Sequence, residues 1–409
     1  MLRREFLQAL GLGGVDATVR RYWPRDGLWN GCAAGPTPAG LLRHPLVEAC
    51  WEGIDPAQVR DCHIHLIGAG DNGSGVWVNP RMRSLLHPWQ YAQFEFYLNA
   101  ACADHDSDRD GRYVERLVAL LEEFPAGVMG MLLAFDHHYD EDGRLRADLS
   151  AFHTPNVYAA QVAARHPRRL RWIASVHPYR EDAVEALEAA ARQGACAVKW
   201  LPSAMGMDPG SSRCDAFYAA LRRLDLPLLV HCGTEYAVHG GAQQHLGNPL
   251  RLRRPLDQGV RVIVAHCASL GRGTDLDAGG NGPERSNFQL FARLMDEPAY
   301  RHSLFGELSA VTQVNRRDEV LTTLIARHDW HARLVNGSDY PLPGVLPLFS
   351  PGYFAGRGWL DAGQDALLRT LRVHNPLLFD VLLKRMLRID GRAFAPDVFM
   401  TRRHFACAA

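Results

Sequence analysis

No run of about 18 or more apolar residues occurs in this 409-residue chain, which excludes a transmembrane helix. Neither sign of charge is in excess. Lys+Arg and Asp+Glu both number 45, so nothing advertises nucleic acid as a partner. Long low-complexity segments and internal repeats are also missing, apart from a strand–helix cadence. The local basic clusters, Arg251, Arg253 and Arg254 or Arg316 and Arg317, read as solvated helix faces or ion pairs. A clean export signal is lacking as well. Met1 to Leu7, with Arg3-Arg4, resembles a twin-arginine address, but the apolar stretch behind it is short, broken by Asp16 and followed by Arg20-Arg21. Trp29-Asn30-Gly31-Cys32 is a poor lipoprotein-processing site. A cytoplasmic location is expected, with periplasmic export through the twin-arginine-like start as the alternative.

Against these absences stands Asp61-Cys62-His63-Ile64-His65 at the end of a buried strand. Residues i and i+2 of a strand share a face. His63 and His65 are therefore expected to project together, close enough to grip one metal ion, with Cys62 and Ile64 on the opposite side. The pair alone is weak, because the chain holds 19 histidines. Four later segments strengthen it. Ala195 to Lys199, Leu226 to His231, Val262 to His266 and Leu334 to Asp339 are each an apolar run stopping at a polar residue able to bind a ligand. Such runs suit strands buried on both faces. Helix-like stretches, Glu181 to Gln193 and Asp215 to Leu224, separate them, and this alternation implies a parallel sheet. Closed into a barrel, parallel strands bring their C-terminal ends to one rim. His63, His65, Lys199, His231, His266 and Asp339 are then expected in one pocket.

The order H-x-H, Lys, His, His and Asp at successive strand ends resembles the amidohydrolase superfamily of metal-dependent (β/α)8 barrels. The phrases GACAVKWLP, LPLLVHCG, VIVAHCASLG and NGSDYP are most similar to its amidohydrolase-related branch, from about Asp61 to Pro341. Val128 to Phe135, Leu170 to Val176 and Leu304 to Leu308 complete eight strands, within the roughly 250 residues that such a barrel needs. The expected fold is thus α/β, a (β/α)8 TIM-type barrel over 56–345 with an N-terminal arm over 1–55 and a C-terminal helical extension over 346–409. A long insertion follows the first strand, from Ile67 to about Arg112. Its Gly68–Gly75 stretch permits unusual backbone angles, and Trp77, Asn79 and Trp89 to Tyr97 either roof the pocket or form a helical subdomain beside it. Leu270 to Asn287 reads as a mobile flap, and Leu360 to Leu371 and Pro376 to Arg388 as core-covering helices.

A divalent metal held by imidazole and carboxylate, most simply Zn²⁺, lowers the pKa of bound water toward about 7. His63, His65 and Asp339 are the expected core ligands. In the family this Asp also passes the water proton to the leaving group, whereas a plain structural reading makes Asp339 a cap after Gly337-Ser338. His231 and His266 are either satisfied core histidines or, by the resemblance, ligands of one or two ions, with His266 alternatively polarising substrate. Lys199 decides the number of ions. As a carbamate it bridges two metals, as a free amine it meets a substrate carboxylate, and otherwise it forms a structural ion pair. Trp77, His177, Trp200, Glu235 and Tyr340 are the candidate substrate-binding residues. Asp136, His137, His138 and Met205 are neighbours of the rim, while His239 and His245 read as solvated. Cys62, Cys196, Cys232 and Cys267 are expected to face outward as small buried apolar groups, so disulfides are not expected among the nine cysteines.

The leading expectation is a hydrolase using metal-activated water on a C–O or C–N bond of a small organic substrate, a lactone, ester or amide. A decarboxylase of an aromatic or unsaturated acid is the runner-up, and a non-catalytic binding barrel is a third class. Oligomeric state is left open by the sequence.

Overall fold

The computed structural model describes residues 27–405 and 407, except 34, 104–106 and 239–242. The twin-arginine-like start and His239 lie outside the described residues.

The apolar runs form short parallel strands, nearly all of whose residues are buried. β1 (Arg60–His65), β2 (Met129–Leu133) and β3 (Leu170–Ile173) make a three-stranded sheet. β4 (Val198–Trp200), β5 (Leu228–His231), β6 (Val262–Ala265), β7 (Leu304–Glu307) and β8 (Leu334–Val335) make a five-stranded one. At one seam between the sheets Ala174 bridges Val198, and at the other Ile64 bridges Tyr340, both in parallel. Alternate residues divide between two cores. Leu229 and Ile263 belong to an interior cluster, Val230 and Val264 to the layer under the helices.

Helices occupy the intervals. Arg109–Glu122 buries Tyr113, Val114, Leu117, Leu120 and Leu121 along one stripe, the spacing of a surface helix on a core. The two expected around β4 run over Ala183–Arg192 and Asp215–Arg223. The C-terminal pair is Ala362–His374, opened by an Asp361 capping box, and Pro376–Met386, capped by Asn375. The second of these is buried all round except for Arg385. No helix among the described residues is long and apolar enough to cross a membrane.

Several expectations fail here for identifiable reasons. The register of β1 against β2 slips between Asp61 and Ile64. This irregularity turns Cys62 into the interior cluster while Ile64 faces outward, so the two do not share a side. Cys196 is also interior, and it is disulfide-bonded to Cys407. The chain end returns beneath the strand starts to reach it. Arg60 N–H donates to Thr401 Oγ1 (3.1 Å) and Arg261 to the His404 carbonyl (3.1 Å). A second disulfide, Cys32–Cys102, ties the described part of the N-terminal segment to the first insertion. Sequence spacing could not disclose either pairing, because the partners are 70 and 211 residues apart. Cys232 and Cys267 do lie in the outer layer.

The segment after β6, read from the sequence as a flap, carries an antiparallel ribbon, Arg272–Thr274 with Glu284–Ser286. Its connecting Asp275 and Asp277 are both paired with Arg293. Arg253 and Arg254 form ion pairs with Glu297 and Asp215, as read from the sequence.

Candidate metal centre

The ends of five strands and the turn after β8 converge. His63 and His65 come from β1, Lys199 from β4, His231 from β5, His266 from just beyond β6, Glu307 from β7 and Asp339 from the turn after β8. His65 Nε2 lies 3.0 Å and His63 Nε2 3.4 Å from Asp339 Oδ1. His266 Nε2 lies 4.0 Å from Asp339 Oδ2. The His231 ring stands edge-on to His266 at 5.0 Å between centroids. Lys199 Nζ is 3.3 Å from His63 Nε2.

Alternation alone would send His266 outward, since Ala265 before it faces the interior. Three successive left-handed residues redirect it, His266, Cys267 and Ala268 at φ 56, 48 and 49, and Asp339 is likewise at φ 63. Non-glycine residues rarely adopt this region, and such strain clusters at functional sites. The glycine of the NGSD phrase is required by close approach. A Cβ on Gly337 would stand 2.5 Å from Glu307 Oε1 and 2.7 Å from the His63 Cβ.

The surroundings fix the ring nitrogens. His63 Nδ1 lies 3.1 Å from Glu307 Oε2, and His266 Nδ1 lies 3.1 Å from the Ser309 carbonyl. Both partners only accept, so each Nδ1 carries its proton and each Nε2 keeps its lone pair for the pocket. Burial depresses all three deep imidazoles, His63, His231 and His266, the last to about 3. Burial pushes the Asp339 carboxyl up, but His266, His63 and His65 outweigh it and hold Asp339 well below the usual carboxylate range. Neutral imidazoles beside an ionised carboxylate are the protonation states that metal ligation needs. His231 Nε2 adds a direct sign of fit. It is buried with no hydrogen-bond partner among the described residues, although Glu235 Oε2 is 3.3 Å away. A buried imidazole nitrogen left so is costly unless something else coordinates it. The donor set fits a divalent metal ion.

Glu307 escaped the sequence reading, though its signal was there: a charged residue closing the apolar run of β7. It is fully buried and accepts from the Ser309 hydroxyl (2.6 Å) and the His266 N–H (3.1 Å). Burial would raise its carboxyl, but His63 foremost pulls it down to about 2.

The donors floor a cavity of about 570 Å³ walled by Ile67, Tyr97, Phe135, Phe152, Leu201 and Val238. A contiguous chamber of about 530 Å³ shares His231, Glu235, His266 and Asp339, and adds Gln93, Thr234, Gln313 and Arg316. Arg316 was expected on a solvated face or in an ion pair. It is half-buried, its side chain donates from Nε to the Ala310 carbonyl at 3.3 Å, and no carboxylate among the described residues lies within 4.0 Å. Burial lowers its pKa to about 10, against the pull of Asp339 and Glu235.

Of the candidate substrate-binding residues, Glu235 lines both chambers. Burial raises its pKa, partly offset by the N–H groups of Val238 and Ala237. The other four lie outside the cavities. Trp200 packs outward on Phe217 and Tyr218, and its Nε1 donates to the Val176 carbonyl. Tyr340 meets Tyr113, and Trp77 meets His137. His177 is bonded to the Met205 carbonyl. The first insertion reaches the pocket through the helix Pro88–Ala100, which carries the aromatic stretch Trp89 to Tyr97; Tyr97 lines the cavity, and its hydroxyl donates to the Ala237 carbonyl at 2.6 Å.

Among solved structures the chain is similar to an uncharacterized TIM-barrel protein of Bordetella bronchiseptica, at 15% identity and TM-score 0.48, covering 79% of this chain and 99% of the other. A probable 2-pyrone-4,6-dicarboxylic acid hydrolase of Acinetobacter baumannii, with citric acid bound, matches at 14% identity and TM-score 0.43, covering 82% and 97%. A dihydroxybenzoic acid decarboxylase of a Polaromonas species, with bound manganese, matches at 15% and 0.42, covering 69% and 86%. No curated protein matches the sequence. The amidohydrolase family model matches residues 61–377, and the chain belongs to the amidohydrolase family.

Proposed function

We propose that the protein is a metal-dependent hydrolase acting on a C–O or C–N bond of a small organic substrate. The carrying observation is the convergence of three imidazoles on Asp339, with a fourth, His231, edge-on to His266 and its Nε2 without a hydrogen-bond partner among the described residues. Zn²⁺ suits imidazole and carboxylate donors. Bound there, the ion would act as a Lewis acid and lower the pKa of water. His63, His65, His231 and Asp339 would hold it, with His266 as a further ligand or as the group polarising the substrate. Asp339, kept ionised, would take a proton from water and return it to the leaving group. Lys199 would either help hold two ions as a carbamate or meet substrate as an amine. The ion-pair reading is the weaker one, as no carboxylate among the described residues lies within 4.0 Å of it.

A decarboxylase is the second reading, favoured by one observation. Arg316 lines the polar chamber, and its terminal guanidinium nitrogens have no hydrogen-bond partner among the described residues, an arrangement that would hold a substrate acid beside the metal centre. The two seam bridges support a complete (β/α)8 barrel, with 1–55 as arm and 346–409 as extension. Two disulfides favour the periplasmic alternative, since such bonds persist in oxidising compartments.

The deciding experiment incubates metal-loaded protein with lactones, esters, amides and aromatic acids, following acid release and CO₂ together. Hydrolysis without CO₂ supports the first reading, and CO₂ release replaces it with the second. Turnover of nothing by a metal-replete protein would leave the binding barrel. Lys199→Ala rescued by a short carboxylic acid would support the carbamate, and indifference to the substitution removes it.

A further inference from the structure

The chain has only two lysines, Lys199 and Lys384, among its 45 basic residues, and both are buried. Arginine serves every other basic position, so lysine is kept where a compact ammonium is needed. Lys199 stands in the pocket. Lys384 does not. It lies in the helix Pro376–Met386, fully buried behind the turn that follows β8.

Lys384 Nζ donates to the Gly337 carbonyl at 2.7 Å, to Asn336 Oδ1 at 3.1 Å and to Asp380 Oδ2 at 2.6 Å. These three acceptors use all three ammonium protons. A planar guanidinium fork presents its donors in a different geometry. The same turn is gripped from its other side by Asp61, whose Oδ1 accepts the Ser338 N–H (2.8 Å) and the His63 N–H (3.2 Å). Asp339 N–H then donates to the His63 carbonyl at 2.8 Å. Residues 336–339 are thus clamped front and back, and the clamp ends on Asp339 in its left-handed conformation.

We infer that Lys384 is a positioning residue for the metal centre. By fixing the carbonyl and side chain of Gly337 and Asn336, it sets where Asp339 stands relative to His63 and His65. The C-terminal helix thereby contributes to metal affinity without touching the ion. This rests on the metal-centre reading above. Groups that orient ligands from behind typically change metal affinity about 10–100-fold when removed.

Deleting Lys384 alone would leave Asp380 buried and unpaired, which is strongly destabilising. The test therefore uses the paired variant Lys384→Met with Asp380→Leu, beside Lys384→Arg, in the full chain. Each is checked for fold by circular dichroism in chelator. Co²⁺ affinity is then measured by competition with a chromophoric chelator, and the visible spectrum of the Co²⁺-loaded protein is recorded. Both folded variants should bind Co²⁺ about 10–100-fold more weakly, with an altered spectrum that arginine does not restore. Unchanged affinity and spectrum in a folded variant would overturn the inference. A measurement on the wild-type protein covers variants that do not fold. Adding Zn²⁺ to the apo form should slow amide exchange across 376–386 as well as 336–339, and no change in 376–386 would equally overturn it. A wild-type protein that takes up no Co²⁺ removes the metal reading itself, and this inference with it.

Discussion

His63 Nδ1 lies 3.1 Å from Glu307 Oε2, and both side chains are almost entirely buried. A carboxylate behind an imidazole fixes the tautomer, aims the other nitrogen and raises its basicity as a ligand. Nε2 of the same ring points at Asp339 and Lys199. Glu307→Ala should therefore weaken metal binding about 10–100-fold, while Glu307→Gln, which retains an accepting oxygen, should lose less. Metal affinities of the three proteins by chelator competition check the order. Equal affinities would mean that His63 is oriented by something else.

Arg316 offers a test of what the polar chamber holds. A hydrogen bond to a charged group contributes about 1.5–3 kcal/mol, or roughly ten- to hundredfold in KM. Arg316→Met should raise KM by that factor for substrates carrying a carboxylate, and leave uncharged analogues nearly unaffected. Steady-state kinetics on a matched acid and amide would show it. A uniform loss on both would assign Arg316 to structure.

The disulfide from Cys407 to Cys196 joins the chain end to the start of β4. Cross-links of this kind typically stabilise by about 2–4 kcal/mol. Cys407→Ser should lower the urea midpoint of oxidised protein and leave that of reduced protein unchanged. The five remaining cysteines are all buried, so thiol labelling of native oxidised protein should find little to react with.

Acid should destabilise the metal-free protein well above the carboxylate range. Burial holds His177 and His266 down to about 3, and His137 and His404 to about 4. Below the ordinary histidine value of about 6.5 the unfolded chain takes up protons there that the native protein does not, so stability falls with pH. Asp61 and Asp380, pushed up by burial to about 6 and about 7, act in the opposite sense. Four imidazoles against two carboxyls leave a net loss. Urea midpoints in chelator should decline from about pH 6.5 downward. A midpoint that rises on acidification to pH 5 contradicts this.

The parallel strands were legible because each is an apolar run ending in a polar residue, and the ligand order at their ends carried the family. Lys199, His231, His266 and Asp339 meet where β4, β5, β6 and β8 end. What failed has local causes. Period-two alternation misplaces Cys62, because β1 slips in register after Asp61. Trp200 and Tyr340 read as pocket walls from their place beside ligands, but Trp200 faces the opposite side of its strand from Lys199 and Tyr340 packs on Tyr113. Arg316 looked like surface because it forms a basic cluster with Arg317, which is indeed exposed, and composition cannot separate the two. Lys384 and Glu307 were hidden more thoroughly, since their roles depend on a helix and a strand meeting the β8 turn from behind.

The central claim is that these side chains share one cation, and metal stoichiometry tests it most directly. Apo protein titrated with Zn²⁺ should bind one or two ions tightly per chain by elemental analysis after desalting. His65→Ala and Asp339→Ala should each lose tight binding while circular dichroism stays native. Wild-type protein that retains no ion, or a folded His65→Ala variant that keeps the full complement, would contradict the account.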